Sequence, residues 1–148
     1  MNPQQHYVYI TSASTTLHTD NKPHDFTITL STPINLNDLE DWSVAVTELE
    51  LVPGATSQSF CMCSDLCSDS HIGEKSLPVL RRFYPFVITG SKKQVFTFPY
   101  PYYVKLKQKF IQKFRIYITD DKGLLLSVGN STLKATLHFR RNSPWHFN

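Results

Sequence analysis

The sequence predicts an all-β protein, an antiparallel eight-stranded sandwich that a single jelly roll fits best, with other eight-stranded sandwiches and barrels left open because strand count does not determine connectivity. Two observations predict it. Short runs of alternating or β-branched residues follow one another, each ended by Pro, Gly, Asn, Asp or Ser, and no segment keeps a 3.6-residue period for three turns. Hydrophobic residues make up 41% of the chain and charged ones 18%, so its 148 residues can fill one packed core but not two. Closing eight short strands into two packed sheets hides two apolar faces at once, which a single open sheet of this composition does not do.

The expected strands are, in order, residues 7–13, 25–31, 42–51, 59–66, 78–84, 94–98 with a continuation through 104, 114–119, and 134–140. In the first, Tyr7 and Tyr9 alternate with Val8 and Ile10; in the second, Phe26, Ile28 and Leu30 alternate with Thr27 and Thr29. That period of two belongs to a half-buried antiparallel strand, and Leu133, Ala135, Leu137 and Phe139 repeat it in the last one. Trp42, Val44, Val46, Ile116, Ile118, Leu137 and Phe139 are the expected core. Residues 35–41 are read as one short helical turn entering Trp42, capped by Asn and Asp. Asp120-Asp121-Lys122-Gly123 reads as a tight turn, with a carboxylate to accept turn amides and a glycine for positive φ. Pro99 and Pro101 cannot donate to a ladder, which puts Phe98-Pro99-Tyr100-Pro101-Tyr102-Tyr103 at a sheet edge or in an extended loop and makes it a natural contact segment.

The expected organisation is one domain over residues 1–148 with a short tail, 142–148. Pro144 stops the preceding strand, and Trp145 and Phe147 either fold back onto the sandwich or insert into a neighbouring subunit. No apolar run approaches the roughly 18 residues of a membrane span, and the opening residues carry neither a basic nor an apolar stretch, so neither secretion nor membrane insertion is expected. Cys61, Cys63 and Cys67 are odd in number and crowded together, which favours a reducing compartment over a disulfide framework.

Charge divides the chain. Residues 1–74 hold ten acids and one base, a net −9, whereas residues 75–148 hold fourteen bases and two acids, a net +12. Three readings follow: the halves interleave and the charges mix, acidic and basic faces meet on neighbouring subunits, or a groove binds nucleic acid. The segment 75–119 has ten bases, no acid and many aromatics, the combination used on single-stranded nucleic acid. Arg81, Arg82, Lys92 and Lys93 are the candidates for that role. The same residues serve equally as surface or subunit interface, which is the favoured reading. In Val104-Lys105-Leu106-Lys107 the lysines suit an apolar and basic strand edge that discourages unwanted pairing.

Catalytic chemistry finds little support. Cys61, Cys63, Cys67 and His71 are zinc-ligand types, but a knuckle needs two residues between its cysteines, and no second ligand pair follows. They read instead as small buried hydrophobes beside a solvent-facing histidine. None of the thiols has a recognisable nucleophile context with His71 as base. Glu48 and Glu50 share a strand face and read as solvated carboxylates. The five glycines are scattered, without a phosphate-cradling loop, and Asn130-Ser131-Thr132 reads as a turn. No enzyme activity and no cofactor are expected.

The order of segments resembles a family. Tyr7-Val8-Tyr9-Ile10-Thr11-Ser12, residues 19–30, and Trp42-Ser43-Val44-Ala45-Val46-Thr47-Glu48-Leu49-Glu50 look like the small β-rich proteins of Polinton (Maverick) virus-like DNA elements in invertebrate genomes. Ile72-Gly73-Glu74, Leu77-Pro78-Val79-Leu80-Arg81-Arg82, residues 98–103, residues 116–123 and Thr136-Leu137-His138-Phe139-Arg140-Arg141 continue the resemblance in the family's order over residues 7–141. These elements resemble adenovirus-like double-stranded DNA viruses, so the resemblance implies a minor capsid or penton-like virion protein with a single jelly roll. It implies location in the virion, and in the host nucleus or cytoplasm during assembly. The expected partners are copies of itself, as trimer or pentamer, and other capsid proteins, with nucleic acid secondary and no membrane. No functional residue carries over, because the shared motifs look structural. Tyr100, Tyr102, Tyr103, Lys105, Lys107, Trp145 and Phe147 are the expected subunit contacts. The alternative is a basic nucleic-acid-binding β-domain used in genome packaging.

Overall fold

Alternation along the chain becomes two antiparallel sheets in the computed structural model, which describes residues 5–13, 17–36, 41–52, 59–84, 93–128 and 132–142. The strands are β1 (Gln5–Thr11), β2 (Asp25–Asn35), β3 (Trp42–Leu51), β4 (Phe60–Ser64), β5 (Ser70–Ile72), β6 (Lys75–Leu77), β7 (Val79–Phe83), β8 (Gln94–Thr97), β9 (Val104–Lys105), β10 (Phe110–Thr119) and β11 (Lys134–Arg141). There is no helix among the described residues. The expected turn at 35–41 is only partly described: Asn35 ends β2, and residues 37–40 lie outside.

Sheet A has the order β1-β11-β3-β8, with β9 also pairing β3, and sheet B has the order β2-β10-β4-β7. β5 and β6 form a separate hairpin. Eight of the strands coincide with the expected ones. β5, β6 and β9 are additional, and β10 begins at Phe110, ahead of the expected 114. Each of the eight, taken in chain order, pairs with its mirror image in the list: first with last (β1–β11), second with seventh (β2–β10), third with sixth (β3–β8) and fourth with fifth (β4–β7). The chain therefore crosses between the sheets at almost every connection, and neither sheet is built from a contiguous segment.

Both inner faces feed one cluster. Val8, Ile10, Val44, Val46, Leu49, Leu137 and Phe139 from sheet A meet Phe26, Ile28, Phe60, Met62, Phe114, Ile116 and Ile118 from sheet B. All seven expected core residues are buried. Burying each large apolar side chain is worth about 1.5–3 kcal/mol, so this cluster is the main source of stability. Bulges between Thr136 and Leu137 and between Met62 and Cys63 each shift the pairing by a residue, a larger irregularity between Ile111 and Lys113 shifts β10 against β2 by three, and all of them bend the sheets around the core.

Crossing between sheets also mixes the two charge halves. Arg115 pairs with Asp25 at 2.8 Å and Lys93 with Glu50 at 3.8 Å, each joining the basic half to the acidic half, while Arg82 pairs with Asp121 within the basic half. Of these three pairs, two follow the interleaved reading.

Candidate subunit interface

The connection from β8 to β10, residues 98–109, closes the end of the sandwich at which β3 starts and β11 finishes. Its backbone is tied to β3 and to the turn that follows β4. Phe98 N donates to Thr47 O at 3.0 Å, Leu106 N to Trp42 O at 3.2 Å, Lys107 N to Leu66 O at 2.9 Å and Ser68 N to Lys105 O at 2.9 Å. Leu106 is buried as a plug, so the segment is fastened at both ends while its middle faces solvent. Tyr100 is 86% exposed and Tyr102 71%. Arg81 holds them from β7: it donates to Tyr100 O at 3.1 Å, and its guanidinium lies 4.2 Å from the Phe98 ring and 5.2 Å from that of Tyr102. The Tyr100 backbone and the Tyr102 ring are thus held beforehand, and groups so held lose less entropy on docking, which suits the segment to contact.

Tyr103, the next residue, turns the other way. It is half-buried, its hydroxyl is 2.7 Å from His138 Nδ1, and Arg140 covers its ring at 3.5 Å. His138 Nε2 lies 2.8 Å from Gln5 Oε1, a pure acceptor, so Nε2 carries the proton and Nδ1 accepts from the Tyr103 hydroxyl. The Tyr7 ring stacks on the same imidazole at 4.4 Å. Burial, and then the Arg140 charge, push the His138 pKa below its ordinary 6.5, which keeps the ring neutral at neutral pH. Tyr103 is thus tied into the outer face of sheet A.

Lys105 and Lys107 are exposed on the same connection. Trp145, Phe147 and Lys92 lie outside the described residues. Asn142 shows where the chain leaves the sandwich: its N–H donates to Asp41 O at 2.8 Å and its Oδ1 accepts from Ser43 Oγ at 2.9 Å, at the end that residues 98–109 close.

The basic candidates are engaged within the fold. Arg82 donates to Asp121 at 3.1 and 3.2 Å; its hydrogen bonds, and then the Ser59 hydroxyl, hold the Asp121 carboxyl below the ordinary carboxylate range. Arg81 and Lys93 have the partners given above. A groove of about 470 Å³ runs along β7 between His71 and Tyr102, lined by Arg81, Arg82 and Tyr84.

The cysteines part company. Cys61 and Cys63 face outward from β4 into a small cluster with Val79, Ile72, Leu77 and Tyr117, whereas Cys67 joins the main core and His71 is exposed. Among the described residues no three His, Cys, Asp or Glu side chains converge on one point. Burial is the main cause of raised thiol pKa values throughout, to about 12 for Cys63 and Cys67, so these sulfurs stay protonated and act as small hydrophobes. Glu48 and Glu50 do share the outer face of sheet A, opposite Thr97 and Val95 of β8.

Two features went unassigned in the sequence: the Gln5, Tyr7, Tyr103, His138, Arg140 network and the exposure of Tyr9. Alternation placed Tyr7 and Tyr9 on one face but did not say which face meets water. Compared with known family models and with curated proteins, the chain matches none.

Proposed function

We propose that this protein is a structural subunit of a viral or virus-derived particle, of minor-capsid or penton-like kind, that works by associating with copies of itself and with other shell proteins. The observation that carries this reading is connectivity. Pairing each of eight strands with its mirror image in the chain gives two facing sheets, and this order supports the jelly-roll reading, an arrangement that viral shell subunits share with lectins and cupins. The resemblance of residues 7–141 to Polinton proteins points the same way, and fold alone does not fix function. Exposed Tyr100 and Tyr102 supply contact area of the kind interfaces concentrate, with Lys105 and Lys107 at the rim to steer encounter.

The alternative, a nucleic-acid-binding domain for genome packaging, draws support from Arg81 and Arg82 beside Tyr84 and Tyr102 in the β7 groove. The partners these arginines already have in the fold weigh against it. Light scattering and binding of a single-stranded oligonucleotide, both followed from low to physiological salt, separate the two. Oligomers that persist where oligonucleotide binding has vanished favour the shell subunit. A monomer that keeps measurable affinity for the oligonucleotide near physiological salt overturns it.

A further inference from the structure

A sheet edge presents free N–H and C=O groups that pair with any extended chain, and folded proteins blunt such edges with charge, proline, bulges or a covering segment. Three of the four edges here are blunted. On β2, the Asn21 side chain occupies both backbone groups of Thr27, donating to its O at 3.0 Å and accepting from its N at 2.9 Å, and Pro33 removes a donor further along. β7 carries Arg81 and Arg82 and a bulge in its pairing with β4. β8 has four residues and β9 two, with Pro99 and Pro101 between them.

Among the described residues β1 shows none of these devices. Its seven residues, Gln5-His6-Tyr7-Val8-Tyr9-Ile10-Thr11, include no Lys, Arg, Asp, Glu, Pro or Gly, and they pair with β11 without a register shift from Gln5 to Thr11. His6 is partly buried, which lowers its pKa and keeps it neutral. Among the described residues β11 is the only strand beside it.

We propose that β1 docks a second copy of this chain, the two β1 strands pairing antiparallel about a twofold axis at Val8 so that sheet A runs through both molecules. The order of residues in the strand selects its own copy. With the axis at Val8, Tyr7 stands opposite the partner's Tyr9 and Tyr9 opposite the partner's Tyr7, two aromatic cross-strand pairs of the stabilising kind. Val8 meets its counterpart on the core side, Gln5 faces Thr11, His6 faces Ile10, and no like charges oppose. Tyr7 and Tyr9 are 52% and 78% exposed, so their rings are free to be covered. The stack of Tyr7 on His138 holds one ring of each pair in place beforehand. A seven-residue strand pair is smaller than the roughly 1,200 Å² of a standard interface, so the dimer is expected to be weak and concentration-dependent. A twofold contact closes on itself, and a larger particle needs a second contact, for which the Tyr100 and Tyr102 surface is available. The proposal deepens the assembly reading and rests on its premise that copies associate.

Sedimentation of three proteins tests it: the unaltered chain, Y7K/Y9K and Y7K/Y9E. Both variants lose the Tyr7–His138 stack and differ only in the sign of the charge at position 9. In the proposed register position 7 faces position 9 of the partner, so Y7K/Y9K opposes like charges twice and Y7K/Y9E opposes unlike charges twice. The unaltered protein is expected to dimerise, Y7K/Y9K to raise the dissociation constant by about tenfold or more, and Y7K/Y9E to recover most of the loss at low salt. Equal weakening of both variants overturns the register. Equal association of all three, folded by circular dichroism, overturns the β1 site while leaving assembly through another surface standing. A monomer at every concentration overturns both proposals. Amide exchange along β1 of the unaltered protein gives the same answer without a variant: protection that rises with concentration supports the pairing, and protection independent of concentration contradicts it.

Discussion

The outer faces of the two sheets are treated in opposite ways. On sheet B, the β5–β6 hairpin lays Ile72 and Leu77 over Cys61, Cys63 and Val79, making a second, smaller core outside the sandwich. Lys75 fastens the hairpin by donating to Lys122 O at 2.8 Å, and Leu77 packs beneath Gly123. On sheet A no such cover exists among the described residues; Tyr7, Tyr9 and Val95 face water beside Glu48, Glu50 and Lys134. An antiparallel sheet needs only one buried face to be stable, so a second apolar layer appears only where the chain supplies its own lid. The difference shows where the proposed association would find room: sheet B has covered its outer face internally, and sheet A leaves aromatic surface and an edge strand uncovered among the described residues.

The same substitution on both faces breaks or sharpens this contrast most strongly. Cys63→Lys places an unpaired charge under the hairpin and is expected to lower unfolding free energy by about 3–5 kcal/mol. Val95→Lys, which points to solvent opposite Glu50, is expected to stay within about 0.5 kcal/mol. Denaturant unfolding measures both, and similar losses at the two positions would erase the distinction.

Alkali probes the buried thiols next. An unfolded thiol ionises from its ordinary value of 9.0, whereas Cys63 and Cys67 are held at about 12, so the unfolded chain sheds protons first as pH rises. Stability is full below pH 9 and falls above it by about 1.4 kcal/mol per pH unit for each such thiol. Unfolding measured on either side of that pH, in the unaltered protein and in Cys63→Ala, should show a shallower alkaline loss in the variant. An unchanged slope would mean that Cys63 is not sealed by its cover.

Gly123→Ala tests the lid itself. Gly123 has φ +84° and its added Cβ meets Leu77 Cδ2 at 3.2 Å, so the expected loss is about 1–2 kcal/mol. Gly73, at φ +60° with open space around it, shares the backbone strain without the contact and should lose less when replaced by alanine. Thermal melting ranks the pair, and the reverse order would contradict the packing of Leu77 beneath the turn.

The smallest effect belongs to sheet A. The His138 pKa lies below its ordinary 6.5, so its contribution is present above that pH and declines as pH falls through it, when the unfolded imidazole takes a proton that the folded one resists. Asp121 acts in a separate, lower window, below its ordinary 3.8. A melting temperature that declines from neutral to mildly acidic pH in the unaltered protein, and less steeply in His138→Gln, is the expected result. Identical declines would assign the effect elsewhere, His6 being the next candidate.

What the sequence made legible follows from length. Runs of alternating residues announced β1, β2, β3, β10 and β11, and for β3, β10 and β11 the inward side as well; in β1, where Tyr7 and Tyr9 alternate with Val8 and Ile10, both faces are apolar and the pattern leaves two orientations open. β5, β6 and β9, at two or three residues, are too short to show a period. The bulge between Ile111 and Lys113 interrupts alternation and hid the first turn of pleat in β10. A local bond, Leu66 N to Ser64 Oγ at 3.1 Å, turns the chain after β4 and sends Cys67 into the main core while Cys61 and Cys63 face outward, which spacing alone could not reveal. The three tyrosines grouped together in the sequence differ in exposure for the same reason. Tyr100 and Tyr102 face solvent as the prolines suggested, but Tyr103 answers to His138, 35 residues away in sequence, and nothing near it announced that bond.

Sedimentation velocity from micromolar to millimolar protein, at low and then high salt, tests the central claim most directly. The account predicts species larger than a monomer that grow with concentration and recede as salt screens the charged rims. A single monomeric species across the whole concentration range at low salt would contradict it.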